Sequence, residues 1–117
     1  MKFEASTLRA LVQDGHLDRA ILYCDQLLNS RHIAGRSALI IQCLKGECLN
    51  ARGRYRETIE ALLPLLLVQS KIIVPESVKA WGLAVVANAF RLSLDFAQAI
   101  NFGRLSLENA ELLQNTS

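Results

Sequence analysis

The sequence has little that would by itself bind a membrane, a nucleic acid or a metal ion. Charge of one sign is missing: 13 Lys and Arg stand against 11 Asp and Glu, for a net charge of +2. A balance that close excludes a strong overall field as the basis for binding nucleic acid or an anionic surface. Long apolar runs are missing too. The longest, ALLPLLLV (Ala61 to Val68), falls far short of the roughly 20 residues a bilayer-spanning helix needs. In the opening MKFEASTLRALVQDG, Glu4 and Arg9 interrupt any apolar core, so no secretory signal is expected. These absences predict a soluble chain without membrane contact, cytoplasmic, or nucleocytoplasmic in a eukaryote.

Metal and catalytic groupings are equally scarce. His16 and His32 have no matching ligand spacing nearby. The three cysteines, Cys24, Cys43 and Cys48, form an odd set inside apolar runs. Cys43 and Cys48 lie five residues apart, which puts them on different faces of a helix and makes a poor zinc pair. Reduced, buried thiols in a reducing compartment are expected, with no metal and no cofactor. A phosphate loop needs several glycines opening a helix after a strand, and Gly46 and Gly53 do not supply that. The carboxylates are scattered over polar positions, and neither histidine has a Ser or Cys partner in a strained turn. No enzyme activity is expected.

What is present is helix. About half the residues are apolar (51%), enough for a core in one domain, and they are mostly Leu, Ala and Ile. There are only two prolines, and strand-type alternation is scarce. Breakers and periodicity divide the chain into six helices: 3–13, 17–29, 36–51, about 54 onward, 75–92 and 96–114. Leu17, Ala20, Ile21, Cys24, Leu27 and Leu28 form a clean helical stripe. In the fourth helix Ile59, Leu62, Leu63, Leu66 and Leu67 are expected to face inward, with a kink at Pro64. Asp95 and Gln98 have capping-box spacing at the start of the sixth.

The boundaries repeat. DGHLDRAI (Asp14 to Ile21), RGRYRETI (Arg52 to Ile59) and SLDFAQAI (Ser93 to Ile100) share one pattern. A turn position (Gly15, Gly53, Leu94) precedes a large corner residue (Leu17, Tyr55, Phe96). A small residue (Ala20, Thr58, Ala99) and an isoleucine (Ile21, Ile59, Ile100) follow. Glycine reaches the left-handed conformation that ends a helix, the corner residue fills the bend, and the small residue lets the helices approach. Gly46 and Ala87, each seven residues before a turn position, are expected to face that small residue.

This pattern resembles the tetratricopeptide repeat family, in a long-repeat variety similar to sensory or regulatory arms of bacterial signalling proteins. The resemblance spans nearly the whole chain as repeats of about 1–34, 36–72 and 75–115, forming one domain or a fragment of a longer protein. The departures are Leu8 for a small residue, Lys45 for leucine and Leu94 for glycine. The resemblance implies three antiparallel helix pairs stacked as a right-handed α-solenoid. It also implies a concave groove that binds a protein or peptide. By the same resemblance the groove residues are Arg9, Gln13, Glu47, Asn50, Trp81, Asn88 and Arg91, with Ala5, Val12, Ile40, Cys43 and Ala84 alongside.

Two surfaces remain. Arg52, Arg54 and Arg56 belong to a stretch, Arg31 to Arg56, with six basic residues and one acidic residue. That is either an anion-binding patch or a solvated turn, and the balanced net charge favours the turn over nucleic acid. The last helix carries more apolar residues than one neighbour covers: Ile100, Phe102, Leu105, Leu107, Leu112 and Leu113. Self-association through that helix is therefore an alternative to groove binding. A ligand-sensing domain of a transcriptional or signalling regulator is another.

Overall fold

A computed structural model of the chain describes residues 5–30, 35–67 and 76–116, and these residues form helices and turns without a strand. The helices are α1 (Ala5–Gln13), α2 (Leu17–Leu28), α3 (Arg36–Ala51), α4 (Tyr55–Leu67), α5 (Glu76–Leu92) and α6 (Phe96–Thr116). They agree with the expected helices to within two residues at each described end. The expected starts at Phe3 and Pro75 lie outside the described residues. α4 continues through Pro64 to Leu67, as its unbroken apolar register predicts. Each helix packs on the next, and α3 also packs directly on α5.

Three corners join α1 to α2, α3 to α4 and α5 to α6, and their main-chain bonds are the same. The N–H of Gly15, Gly53 and Leu94 donates to the carbonyl three residues back, at 3.1 Å in each case. The next N–H, of His16, Arg54 and Asp95, donates five residues back at 2.8 Å. This is a Schellman closure, which needs a left-handed residue at the turn. Gly15, Gly53 and Leu94 have φ of 78°, 81° and 67°. Leu94 holds that conformation with a side chain, in a region costly for anything but glycine.

After each corner the following helix starts on the same residue, since Ala20, Thr58 and Ala99 donate to the carbonyls of His16, Arg54 and Asp95. At α6 the Asp95 carboxylate accepts from the Gln98 N–H at 3.3 Å. That is half of the expected capping box. The Asp95 N–H, which the full box would give to the Gln98 side chain, is spent on the Phe90 carbonyl.

The core has two parts with α3 between them. Leu8 of α1, Ile21, Cys24 and Leu27 of α2, and Ile41, Cys48 and Leu49 of α3 form the first. Leu39 and Cys43 of α3, Leu62 and Leu66 of α4, Val78, Leu83 and Val86 of α5, and Phe102 of α6 form the second. Opposite faces of one helix thus serve both parts, which is why Cys43 and Cys48 point apart. Lys45, out of place as a leucine substitute, pairs with Asp25 of α2 at 2.6 Å.

Gly46 explains its own presence. A Cβ there would lie 2.8 Å from Leu62, 2.9 Å from Val85 and 3.2 Å from Thr58. The Thr58 hydroxyl donates to the Gly46 carbonyl at 3.3 Å, so the expected close approach of α3 and α4 is observed. Gly82 plays the same part in α5, 2.8 Å from Leu66 by the same measure, and the repeat pattern did not reveal it.

Three expectations need correction. Leu67 is 57% exposed, because it sits about 100° around the helix from buried Leu66. Phe96 does not fill its corner: it is 57% exposed, where Leu17 and Tyr55 are half-buried. Cys43 is fully buried beneath Gly82 and so is not a groove residue.

Candidate functional site

α3 and α5 pack side by side, and a groove of about 390 Å³ runs along their seam. Glu47, Asn50 and Ala51 line it from α3; Trp81, Ala84, Val85, Asn88 and Leu92 line it from α5. Four of the seven residues assigned to a groove by resemblance, Glu47, Asn50, Trp81 and Asn88, come together here.

The indole N–H of Trp81 donates to Glu47 Oε1 at 2.7 Å. This bond joins the two walls and fixes the indole over the groove. Among the described residues Glu47 is the single charged side chain lining it. Asn50 behaves differently from expectation. It is only 5% exposed, and its Nδ2 donates to the Val85 carbonyl at 3.0 Å. Asn50 is therefore a clasp between α3 and α5 rather than a free hand for a ligand. Its Oδ1 is buried and has no hydrogen-bond partner among the described residues. At the far end Asn88 Oδ1 accepts from Arg91 Nη2 at 2.6 Å and Nε at 3.1 Å, which holds Arg91 beside the rim.

On the other side of α3 lies a smaller hollow of about 70 Å³. It is bounded by Leu8, Val12, Leu17, Leu44 and Cys48, with Glu47 and Ala51 again on its edge. Glu47 thus stands on the ridge between two apolar depressions. Arg9 and Gln13 are exposed on α1 and line neither depression.

The three arginines of the second corner each have a carboxylate. Arg52 Nε meets Asp18 of α2 at 3.0 Å. Arg54 makes a two-pronged contact with Glu57 at 2.8 and 2.6 Å. Arg56 meets Glu60 at 3.4 Å. The hydrogen bonds from Arg54 hold the Glu57 carboxyl below its usual range. Charge that the sequence shows as a basic run is locally neutralised, which weakens any attraction for an incoming anion. A polar hollow of about 250 Å³ beside Arg52 is closed by Asp18 as well as by Gly15, His16 and Arg19.

The thiols are not poised for chemistry. Burial, then the negative charge that neighbours carry, pushes Cys24 and Cys43 up to about 12 and raises Cys48. A thiol needs the opposite shift to act as a nucleophile or metal ligand. Among the described residues no three His, Cys, Asp or Glu side chains converge as a metal site would require. No described helix is long and apolar enough to cross a membrane.

Against known proteins the chain stands apart: no family model, no curated protein and no solved structure matches it.

Proposed function

We propose that this chain is a non-enzymatic recognition module, a tetratricopeptide-like right-handed stack of three antiparallel helix pairs. It takes a segment of another protein into the groove between α3 and α5. The architecture is supported by three corners with the same main-chain bonds at the same register. The observation that carries the binding reading is the Glu47–Trp81 pair. It sets one carboxylate on the ridge between two apolar depressions, with one ordered indole in the larger of them.

An occupant that complements this arrangement carries a lysine or arginine facing Glu47, flanked by apolar side chains. Trp81 supplies a rigid anchor of the kind that dominates interface energetics, and a cation beside it also gains from the ring face. The three buried, unpaired thiols suit a reducing compartment such as the cytoplasm. A module of this kind serves a larger regulatory or assembly protein.

Display of random peptides against the full chain tests the reading. The native protein is expected to select peptides with a basic residue between apolar ones. Glu47→Lys is expected to reverse the charge preference, and Trp81→Ala to abolish selection. A native protein that enriches nothing, or the same basic motif selected by Glu47→Lys, overturns it.

A further inference from the structure

α6 presents an apolar line to solvent. Phe96, Ile100 and Leu107 are 57%, 63% and 60% exposed. With Gly103 they follow the spacing of four, three and four that places residues along one side of a helix. The corresponding line in α2 is Leu17, Ile21, Cys24 and Leu28, and in α4 it is Tyr55, Ile59, Leu62 and Leu66. Every member of those two lines is buried or half-buried, with α3 packed on α2 and α5 packed on α4. The line on α6 therefore has the pattern of a surface that receives a helix.

Gly103 narrows what that helix is. A glycine inside a helix costs about 1 kcal/mol relative to alanine, so it calls for a reason. Gly46 and Gly82 have one, because a Cβ at either would run into a neighbouring helix. At Gly103 an added Cβ meets nothing within 4 Å. Nothing among the described residues asks for glycine there, on a line of large apolar residues.

The line is also self-complementary. Laid antiparallel against a second copy, Phe96 meets Leu107 of the partner subunit while Ile100 seats over Gly103 of the partner subunit. Both pairs share one centre, between Asn101 and Phe102, as a two-fold axis requires. The large Ile100 finds the one position without a side chain, twice. From Phe96 to Leu107 the one charged residue is Arg104, which lies about 70° around the helix from the line and so flanks the seam, opposite Ala99 of the partner subunit.

We propose that α6 is the seam of a two-fold homodimer, with Phe96, Ile100, Gly103 and Leu107 forming an antiparallel helix pair with a second copy of this chain. None of these residues lines the α3–α5 groove, so both sites are open to use together.

Sedimentation of the full chain from about 1 to about 500 µM, the range a seam of one helix per copy calls for, tests this. A rise towards twice the monomer mass is expected. Ile100→Lys, which would bury a charge four residues from Arg104 with no acidic residue between Phe96 and Arg104 to pair it, is expected to weaken association at least about tenfold. Leu22→Lys, on α2 and 57% exposed, is expected to leave it unchanged. Gly103→Ala is expected to raise monomer thermal stability and yet weaken association, two effects that a merely flawed helix would not combine. Oxidative cross-linking of mixed Phe96→Cys and Leu107→Cys proteins is expected to join unlike variants. A monomer throughout, association that Ile100→Lys or Gly103→Ala leaves intact, or cross-links only between like variants overturns the proposal.

Discussion

The indole of Trp81 and the carboxylate of Glu47 meet at 2.7 Å although 34 residues separate them in the chain. Through this one bond the groove wall reports on itself, because Trp81 is the single tryptophan.

Glu47→Ala is expected to shift the tryptophan emission without changing helix content by circular dichroism. The pair is exposed to water, so the stability loss is expected to be at most about 1 kcal/mol by urea denaturation. Glu47→Gln, which keeps an oxygen for the indole, is expected to shift the emission less. Unchanged emission in Glu47→Ala would mean that the bond does not order the indole.

The helical glycines Gly46 and Gly82 predict different costs for one substitution. Gly46→Ala drives a Cβ into Leu62, Val85 and Thr58 and is expected to cost about 1–3 kcal/mol. Gly82→Ala meets mainly the methyls of Leu66, which can rotate away, and is expected to cost less. Thermal melts of the two variants beside the native chain check the order.

Leu94 is strained where glycine would not be. At φ 67° and 74% exposure, its side chain costs backbone energy and returns little packing. Leu94→Gly is expected to stabilise the chain by about 0.5–1 kcal/mol, once the greater freedom of unfolded glycine is subtracted. Gly53→Ala, at φ 81°, is expected to destabilise by about 1 kcal/mol. Chemical denaturation of both variants decides.

The thiols make stability fall in alkali. An unfolded cysteine ionises near 9.0, whereas burial pushes Cys24 and Cys43 up to about 12. Between those values the unfolded state has released protons that the folded state keeps, so raising the pH favours unfolding. The slope is expected to reach about 1.4 kcal/mol per pH unit for each thiol. Denaturation midpoints in the reduced protein from pH 8 upward test it, with Cys24→Ser and Cys43→Ser expected to flatten the dependence.

The corners were legible because they rest on local chemistry. Gly15 and Gly53 announce a left-handed residue, and register alone places Leu94 beside them despite its side chain. Gly46 was legible for the same reason, since its distance from the turn fixed what it had to face. The groove was only half legible. Glu47, Trp81 and Asn88 line it, but Asn50 turns inward to the Val85 carbonyl, and sequence spacing gives the face of a residue rather than its partner. The arginines show the same limit: Glu57 and Glu60 are within reach along the helix, while Asp18 lies 34 residues from Arg52. Gly82 went unread because the turn pattern has no place for it, although a helix-interior glycine beside the lone tryptophan was a signal.

α3 is a party wall. Ile41, Cys48 and Leu49 belong to the room on one side, Leu39 and Cys43 to the room on the other. Neither room keeps its shape without that wall, so the two do not come apart in turn. In hydrogen exchange the amides of α3 are expected to open only when the whole structure does, and those of α6, with one side to solvent, sooner.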